Sequence, residues 1–170
     1  MPPQDLPNQS PHHFKSLGGF AVVKSILVAD DDYDYQLLIR LALEAAGFKG
    51  SLEMVGHGTE LMDYLHNRGQ YSRSRAPDLI ILDLDMPCKD GREALKEIKA
   101  DRKLKSIPIV LLSISGPEED RKLCHDFECT FLQKPESYAQ WVNAMESILK
   151  FYGVEEPENG GKDFFQELLP

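Results

Sequence analysis

Leu79-Ile80-Ile81-Leu82-Asp83-Leu84-Asp85-Met86-Pro87 opens on four consecutive apolar residues and closes on acids and a proline. A run of that kind reads as a strand buried on both faces, as inside a parallel sheet. Met86-Pro87 ends it, because proline cannot donate to a sheet ladder. Asp83 is therefore presented at the carboxyl end of a buried strand, where open α/β sheets bind their ligands.

Outward from this stretch, strand and helix alternate. Ser25–Ala29 is a first strand running into Asp30-Asp31-Asp32, and a helix over Tyr33–Ala46 follows, with Leu38, Leu41, Ala42 and Ala45 at helical spacing. Asp32 reads as its cap and Gly47 as its stop. Leu52–Val55 is a second strand, and Thr59–Asn67 a second helix with Leu61, Met62 and Leu65 inward, followed by a long polar loop to Pro77. After the opening strand come a helix over Gly91–Ala100, on Leu95 and Ile98, and a strand over Ile107–Ser113. Pro117 suits the first turn of a fourth helix, whose inner face is Leu123, Cys124 and Phe127. A fifth strand, Thr130–Gln133, ends in Lys134-Pro135. Ser137 caps the last helix, with Trp141, Met145, Ile148, Leu149 and Tyr152 inward and Gly153 closing it. Five strand–helix units predict a doubly wound, five-stranded parallel sheet of the flavodoxin-like kind, as one domain over residues 24–152. Residues 1–23 read as a flexible N-terminal tail and 153–170 as a C-terminal tail with an apolar tag, Phe164–Leu169, and no output domain.

Bulk properties narrow the class. The 170-residue chain has 42% hydrophobic and 28% charged residues and a net charge of -9. An acidic surface speaks against nucleic acid as partner. No apolar run approaches a membrane span, and the amino terminus lacks the pattern of a signal peptide. Three cysteines, Cys88, Cys124 and Cys129, lack zinc-like spacing and suit reduced thiols in the cytoplasm. His12-His13 reads as part of a solvated tail.

Polar groups gather at one end of the predicted sheet: Asp30 and Asp31 after the first strand, Asp83 after the third, Ser113 after the fourth, Lys134 after the fifth. Carboxylates packed together repel unless a cation lies among them, and oxygen ligands favour a hard ion such as Mg²⁺. Asp83 could then act as a nucleophile toward a phosphoryl group, with Ser113 and Lys134 holding its oxygens. Taken singly, each has a plainer reading: a helix cap, a turn acid, a strand-end hydroxyl, a surface lysine. Their conjunction at strand carboxyl ends carries the functional reading.

These residues resemble a known family. Ile26–Asp31, Leu82–Pro87 through Asp90-Gly91, Pro108–Ser113 and Phe131–Pro135, in this order, are similar to the receiver domains of two-component response regulators. The resemblance implies that Asp83 is the phosphoacceptor. It implies that Asp30, Asp31, Asp83 and the backbone carbonyl of Asp85 hold Mg²⁺, and that Ser113 and Lys134 bind the phosphoryl group. Ser113 and Phe131 would form the switch, Lys134–Pro135 would be a cis peptide, and the chain would be no enzyme beyond its own phosphorylation and dephosphorylation. Partners so implied are a sensor histidine kinase and a second copy, through the fourth helix, fifth strand and fifth helix. Gly69-Gln70-Tyr71, Lys89–Glu93 and Glu97–Asp101 further resemble regulators that serve phytochrome kinases. Ile114 departs from the family's small residue and would crowd the way to Asp83. The side chain of Asp85 is either solvent-facing or an outer contact to metal waters. Two rival readings are a phosphorylation-silent module on the same fold and a haloacid-dehalogenase-type phosphatase, which shares the Asp83-Leu84-Asp85 pattern.

Overall fold

The structure, a computed structural model, describes residues 23–153. Both tails, with His12-His13 and Phe164–Leu169, lie outside them. The elements follow the order β1 (Ser25–Ala29), α1 (Tyr33–Ala45), β2 (Ser51–Val55), α2 (Gly58–Leu65), β3 (Leu79–Asp83), α3 (Gly91–Ala100), β4 (Ile109–Ser113), α4 (Glu118–Asp126), β5 (Thr130–Gln133) and α5 (Tyr138–Tyr152). A short 3₁₀ turn, Gly69–Tyr71, interrupts the predicted loop before β3.

All strands pair in parallel, in the order β2-β1-β3-β4-β5. This is the flavodoxin-like arrangement expected. The chain leaves β1 toward one edge and returns through β3 toward the other, so the switch point lies between β1 and β3. The period-2 geometry of a strand sends neighbouring side chains to opposite faces. Leu79 and Ile81 of β3 accordingly join the core under α1 and α5, with Ile39, Leu43, Trp141 and Met145. Ile80 and Leu82 join the core under α2, α3 and α4, with Leu61, Leu95 and Ile98. Every residue of β3 and β4 is buried, as a strand covered on both faces requires.

Local signals place the ends. Asp32 caps α1 by accepting from Asp34 N–H at 2.8 Å, and Asp90 caps α3 by accepting from Glu93 N–H at 2.9 Å. Ser137 and Gln140 form a reciprocal capping box on α5, and Gly153 closes that helix in the left-handed conformation. Asp78 fixes the start of β1 by accepting from the backbone N–H groups of Lys24 and Ser25 at 2.8 and 2.9 Å.

Three expectations need correction. The buried face of α1 is Ile39, Ala42 and Leu43, while Leu41 and Ala45 are exposed. Nearly every position from Leu37 to Ala46 is apolar, so periodicity alone does not fix the helix's rotational phase. Pro117 is the residue before α4, extended at ψ 156°, rather than its first helical residue. All described peptide bonds are trans, Lys134–Pro135 included. Lys134 is held there by a continuation of the sheet ladder, its N–H donating to Ser113 O at 2.8 Å. No described helix is long and apolar enough to cross a membrane.

Candidate functional site

The site is built on ladder hydrogen bonds that run one residue past the strands. Asp30 N–H donates to Val55 O at 3.1 Å, Leu84 N–H to Leu112 O at 3.1 Å, and Lys134 N–H to Ser113 O at 2.8 Å. These bonds give the polar residues at the strand ends a backbone as fixed as the sheet itself. Asp30 and Asp83 are buried and Asp31 is exposed. One carboxylate oxygen from each of the three lies within 4.8 Å of the other two.

One cation meets this charge from inside. Lys134 Nζ stands 2.9 Å from Asp30 Oδ2 and 3.4 Å from Asp83 Oδ2. The ring of Tyr35 covers the ammonium from another side, 3.8 Å from ring centroid to Nζ. Burial pushes the Asp83 carboxyl up to about 6, with Lys134 pulling it back. Asp30 is raised in the same way, by burial against the hydrogen bond from Lys134. For Lys134 burial disfavours the ammonium, but the hydrogen bond and charge of Asp30 and the charge of Asp83 outweigh it, and its pKa is raised. Lys134 is thus charged, and among the described residues it sets one positive charge against three acids.

A divalent cation fits the remainder. The donors are all oxygen, three carboxylates at close range, with the open side at exposed Asp31. That set suits a hard ion that keeps several waters. The Asp85 backbone is adjacent, its N–H 3.4 Å from Asp83 Oδ1.

The Asp85 side chain is exposed, as its solvent-facing reading expected, and it also carries an ion pair. Its Oδ1 accepts from Arg92 Nη1 at 3.1 Å. The Ser113 hydroxyl, at the end of β4 as expected, donates to Asp120 Oδ2 at 3.1 Å. Phe131 is buried on β5, with the Arg121 guanidinium 4.8 Å from its ring centroid. Ile114 is 59% exposed. It shares a cleft of about 390 Å³ with Tyr35, Gln133, Lys134 and Pro135.

Sequence reasoning missed four residues here. Gln36 holds the Asp30 backbone carbonyl with its side-chain amide at 2.6 Å. Tyr35 covers Lys134. Arg92 and Asp120 pair with each other, Arg92 Nε donating to Asp120 Oδ1 at 2.9 Å. Arg92 follows the Asp90-Gly91 pair and Asp120 sits in an acidic first turn. Neither position says which of its charges is buried, so only packing could reveal the pair.

Comparison with known proteins agrees with this geometry. Residues 26–146 match the response regulator receiver domain family. The chain is 39% identical over 130 residues to response regulator Rcp1 of Synechocystis sp., covering 76% of this chain and 88% of that one. It is 33% identical over 128 residues to a probable methanogenesis regulatory protein, FilR2, of Methanothrix harundinacea, covering 75% and 82%. Among solved structures, the phosphorylated cyanobacterial phytochrome response regulator RcpA superposes with a TM-score of 0.71 at 36% identity, covering 77% of this chain and 94% of that one. The Mn²⁺-bound form of Rcp1 superposes with a TM-score of 0.71 at 32% identity, covering 79% and 99%.

Proposed function

Since the chain belongs to the response regulator receiver domain family, we propose that Asp83 accepts a phosphoryl group from a phosphohistidine of a sensor kinase, and that this changes a protein-contact surface. The observation that carries the reading is the convergence of Asp30, Asp31 and Asp83 within 4.8 Å, with Lys134 buried against two of them. A carboxylate oxygen of Asp83 attacks phosphorus, the P–N bond to the histidine breaks, and an acyl phosphate forms. Lys134 turns from its two carboxylates to an oxygen of the incoming group, and Ser113 donates to another. Asp30, Asp31, Asp83 and the Asp85 carbonyl would hold Mg²⁺. Bound there, the ion offsets the charge of the transferring group.

The kinase side has a candidate face. Tyr33, Leu37 and Leu41 recur every four residues on α1 and are 83, 53 and 41% exposed. The row begins beside Asp30–Asp32, so a helix laid along it would stand over Asp83. Likeness to Rcp1 and RcpA supports a phytochrome-linked kinase as the donor. We read residues 24–152 as the signalling unit, acting in the cytoplasm through contact. Exposed Phe151 on α5 supports self-association through α4, β5 and α5.

Phosphotransfer from a purified, autophosphorylated kinase, followed by intact-mass analysis, tests the assignment. The expected result is a gain of one phosphoryl group that needs Mg²⁺ and disappears in Asp83→Asn. Transfer that survives Asp83→Asn would move the acceptor elsewhere. No transfer from the kinase or from phosphoramidate would favour the phosphorylation-silent module.

A further inference from the structure

The first turn of α4 carries three acids, Glu118, Glu119 and Asp120, which suits a helix amino terminus. Asp120 differs from the other two: it is only 2% exposed. A buried carboxylate needs partners. Arg92 supplies a two-pronged pair, with Nε 2.9 Å from Oδ1 and Nη2 3.0 Å from Oδ2. The remaining donor is Ser113, whose hydroxyl lies 3.1 Å from Oδ2. Gly116 N–H completes the arrangement by donating to Ser113 Oγ at 3.3 Å.

A hydroxyl has one proton to give. Ser113 cannot donate to Asp120 and to a phosphoryl oxygen on Asp83 at the same time. We infer that Asp120, clamped by Arg92, is a positioning residue that holds the Ser113 hydroxyl in a resting arrangement and competes with the phosphoryl group for its proton. This rests on the reading of Asp83 as the phosphoryl acceptor. The same guanidinium reaches Asp85 Oδ1 at 3.1 Å and the Leu84 carbonyl at 3.4 Å. Arg92 therefore ties the loop that follows Asp83 to the start of α4. When Ser113 leaves, Asp120 keeps its charge-paired partner, so release strands no buried carboxylate. The first turn of α4 then loses its tie to β4, which gives the acceptor site a physical route to the contact face.

Beryllofluoride with Mg²⁺, a non-covalent mimic of a phosphoryl group on a carboxylate, reads this competition at equilibrium. Its affinity is measured by calorimetry for the full chain and for Asp120→Ala, Ser113→Ala and the double variant. Asp120→Ala is expected to bind about tenfold tighter than the unaltered protein, the worth of one hydrogen bond to a charged group. In the Ser113→Ala background the same substitution should change nothing, because the proton in dispute is gone. Asp120→Asn, which keeps the volume and can still accept a hydrogen bond, should fall between and carries the comparison if the alanine variant does not fold. An effect equal in both backgrounds would mark a structural role of α4 alone and overturn the inference. So would no effect in either. Failure of the unaltered protein to bind beryllofluoride would instead sink the phosphoacceptor reading itself.

Discussion

Lys134 Nζ lies 2.9 Å from Asp30 Oδ2, across a gap of 104 residues in sequence. The two side chains come from the ends of β5 and β1, which are not neighbours in the sheet. Lys134 also lies 3.4 Å from Asp83 and beneath the Tyr35 ring. It thus spans the sheet's end and ties its carboxylates together. On the proposed function, the same cation would serve stability in the free protein and phosphoryl binding in the loaded one.

Replacing Lys134 by Met should therefore expose the cost of the unpaired acids. Removing one partner of a buried ion pair costs about 3–5 kcal/mol. In urea unfolding without divalent ions, the variant should lose stability of that order. On the proposed placement of Mg²⁺ among these carboxylates, saturating ion should restore part of the loss, because it would supply positive charge to them. A variant equally destabilised with and without Mg²⁺ would contradict the placement of the ion among these acids.

Asp31 should separate binding from folding. It is exposed, in contrast to Asp30 and Asp83. Asp31→Asn should leave the unfolding midpoint within about 0.5 kcal/mol of the parent. Its Mg²⁺ affinity by calorimetry should fall by at least the ~10–100-fold that even outer partners of a metal site are worth. Unchanged affinity would remove Asp31 from the ligand set.

Ile114 offers the converse separation. It follows Ser113, is 59% exposed, and shares the cleft with Lys134. On the proposed function, a branched side chain there would crowd the approach of a small donor or an attacking water. Ile114→Ala should speed both loading from phosphoramidate and loss of the phosphoryl group. With so little of the side chain buried, stability should shift by only about 0.5 kcal/mol. Unchanged rates would show that Ile114 does not guard the site.

The alternation of apolar runs, caps and stops made the sheet legible in sequence, because burial on both faces leaves β3 and β4 no polar position before their ends. The gathering of polar residues at one end of the sheet was legible from the strand ends. Asp30, Asp83 and Ser113 stand at or one residue beyond the ends of buried strands, where a polar side chain is conspicuous, whereas Lys134 follows the half-exposed β5 and was legible only together with them. The rotational phase of α1 was not legible, since apolar residues fill nearly the whole circumference of that helix. Nor was the partner of Ser113. Asp120 sits among neighbouring acids on a different element, and the reach of Arg92 from α3 to the start of α4 picks out the acid that is buried. The exposure of Asp85 was read correctly, but its partner was not, because Arg92 is brought to it by the turn into α3.

Gly91 is a place where backbone approach limits the side chain. A Cβ added there would lie 2.1 Å from Asp83 O and 2.8 Å from Leu84 Cα. Both are backbone of the segment that carries Asp83, the proposed acceptor. Gly91→Ala must push that segment away, at a cost of about 1–3 kcal/mol for overpacking. Phosphoryl acceptance should fall more than the stability change alone explains, because the displaced backbone carries Asp83. Melting curves and phosphotransfer measured together would show this, and normal transfer in a destabilised variant would refute it.

Glu60, away from the site, is a carboxylate whose hydrogen bonds bear on stability in acid. Its Oε2 accepts from Gly56 N–H at 2.7 Å, and Tyr71 OH donates to Oε1. Burial alone would raise this carboxyl, but these two hydrogen bonds outweigh it and hold its pKa below the ordinary 4.5. Tyr71 is correspondingly pushed up to about 12 by burial and by Glu60. A depressed acid contributes stability that is fully present above its unfolded pKa and is lost as pH falls through the folded one. Glu60→Gln should thus cost about 1 kcal/mol at neutral pH, through weaker acceptance from Gly56 and Tyr71. The gap between variant and parent should narrow as pH falls through the lowered pKa of Glu60, below which both carry a neutral group. Urea midpoints across that range decide the matter. A gap independent of pH would mean that the ionised carboxylate is not what ties the Gly69–Tyr71 turn to α2.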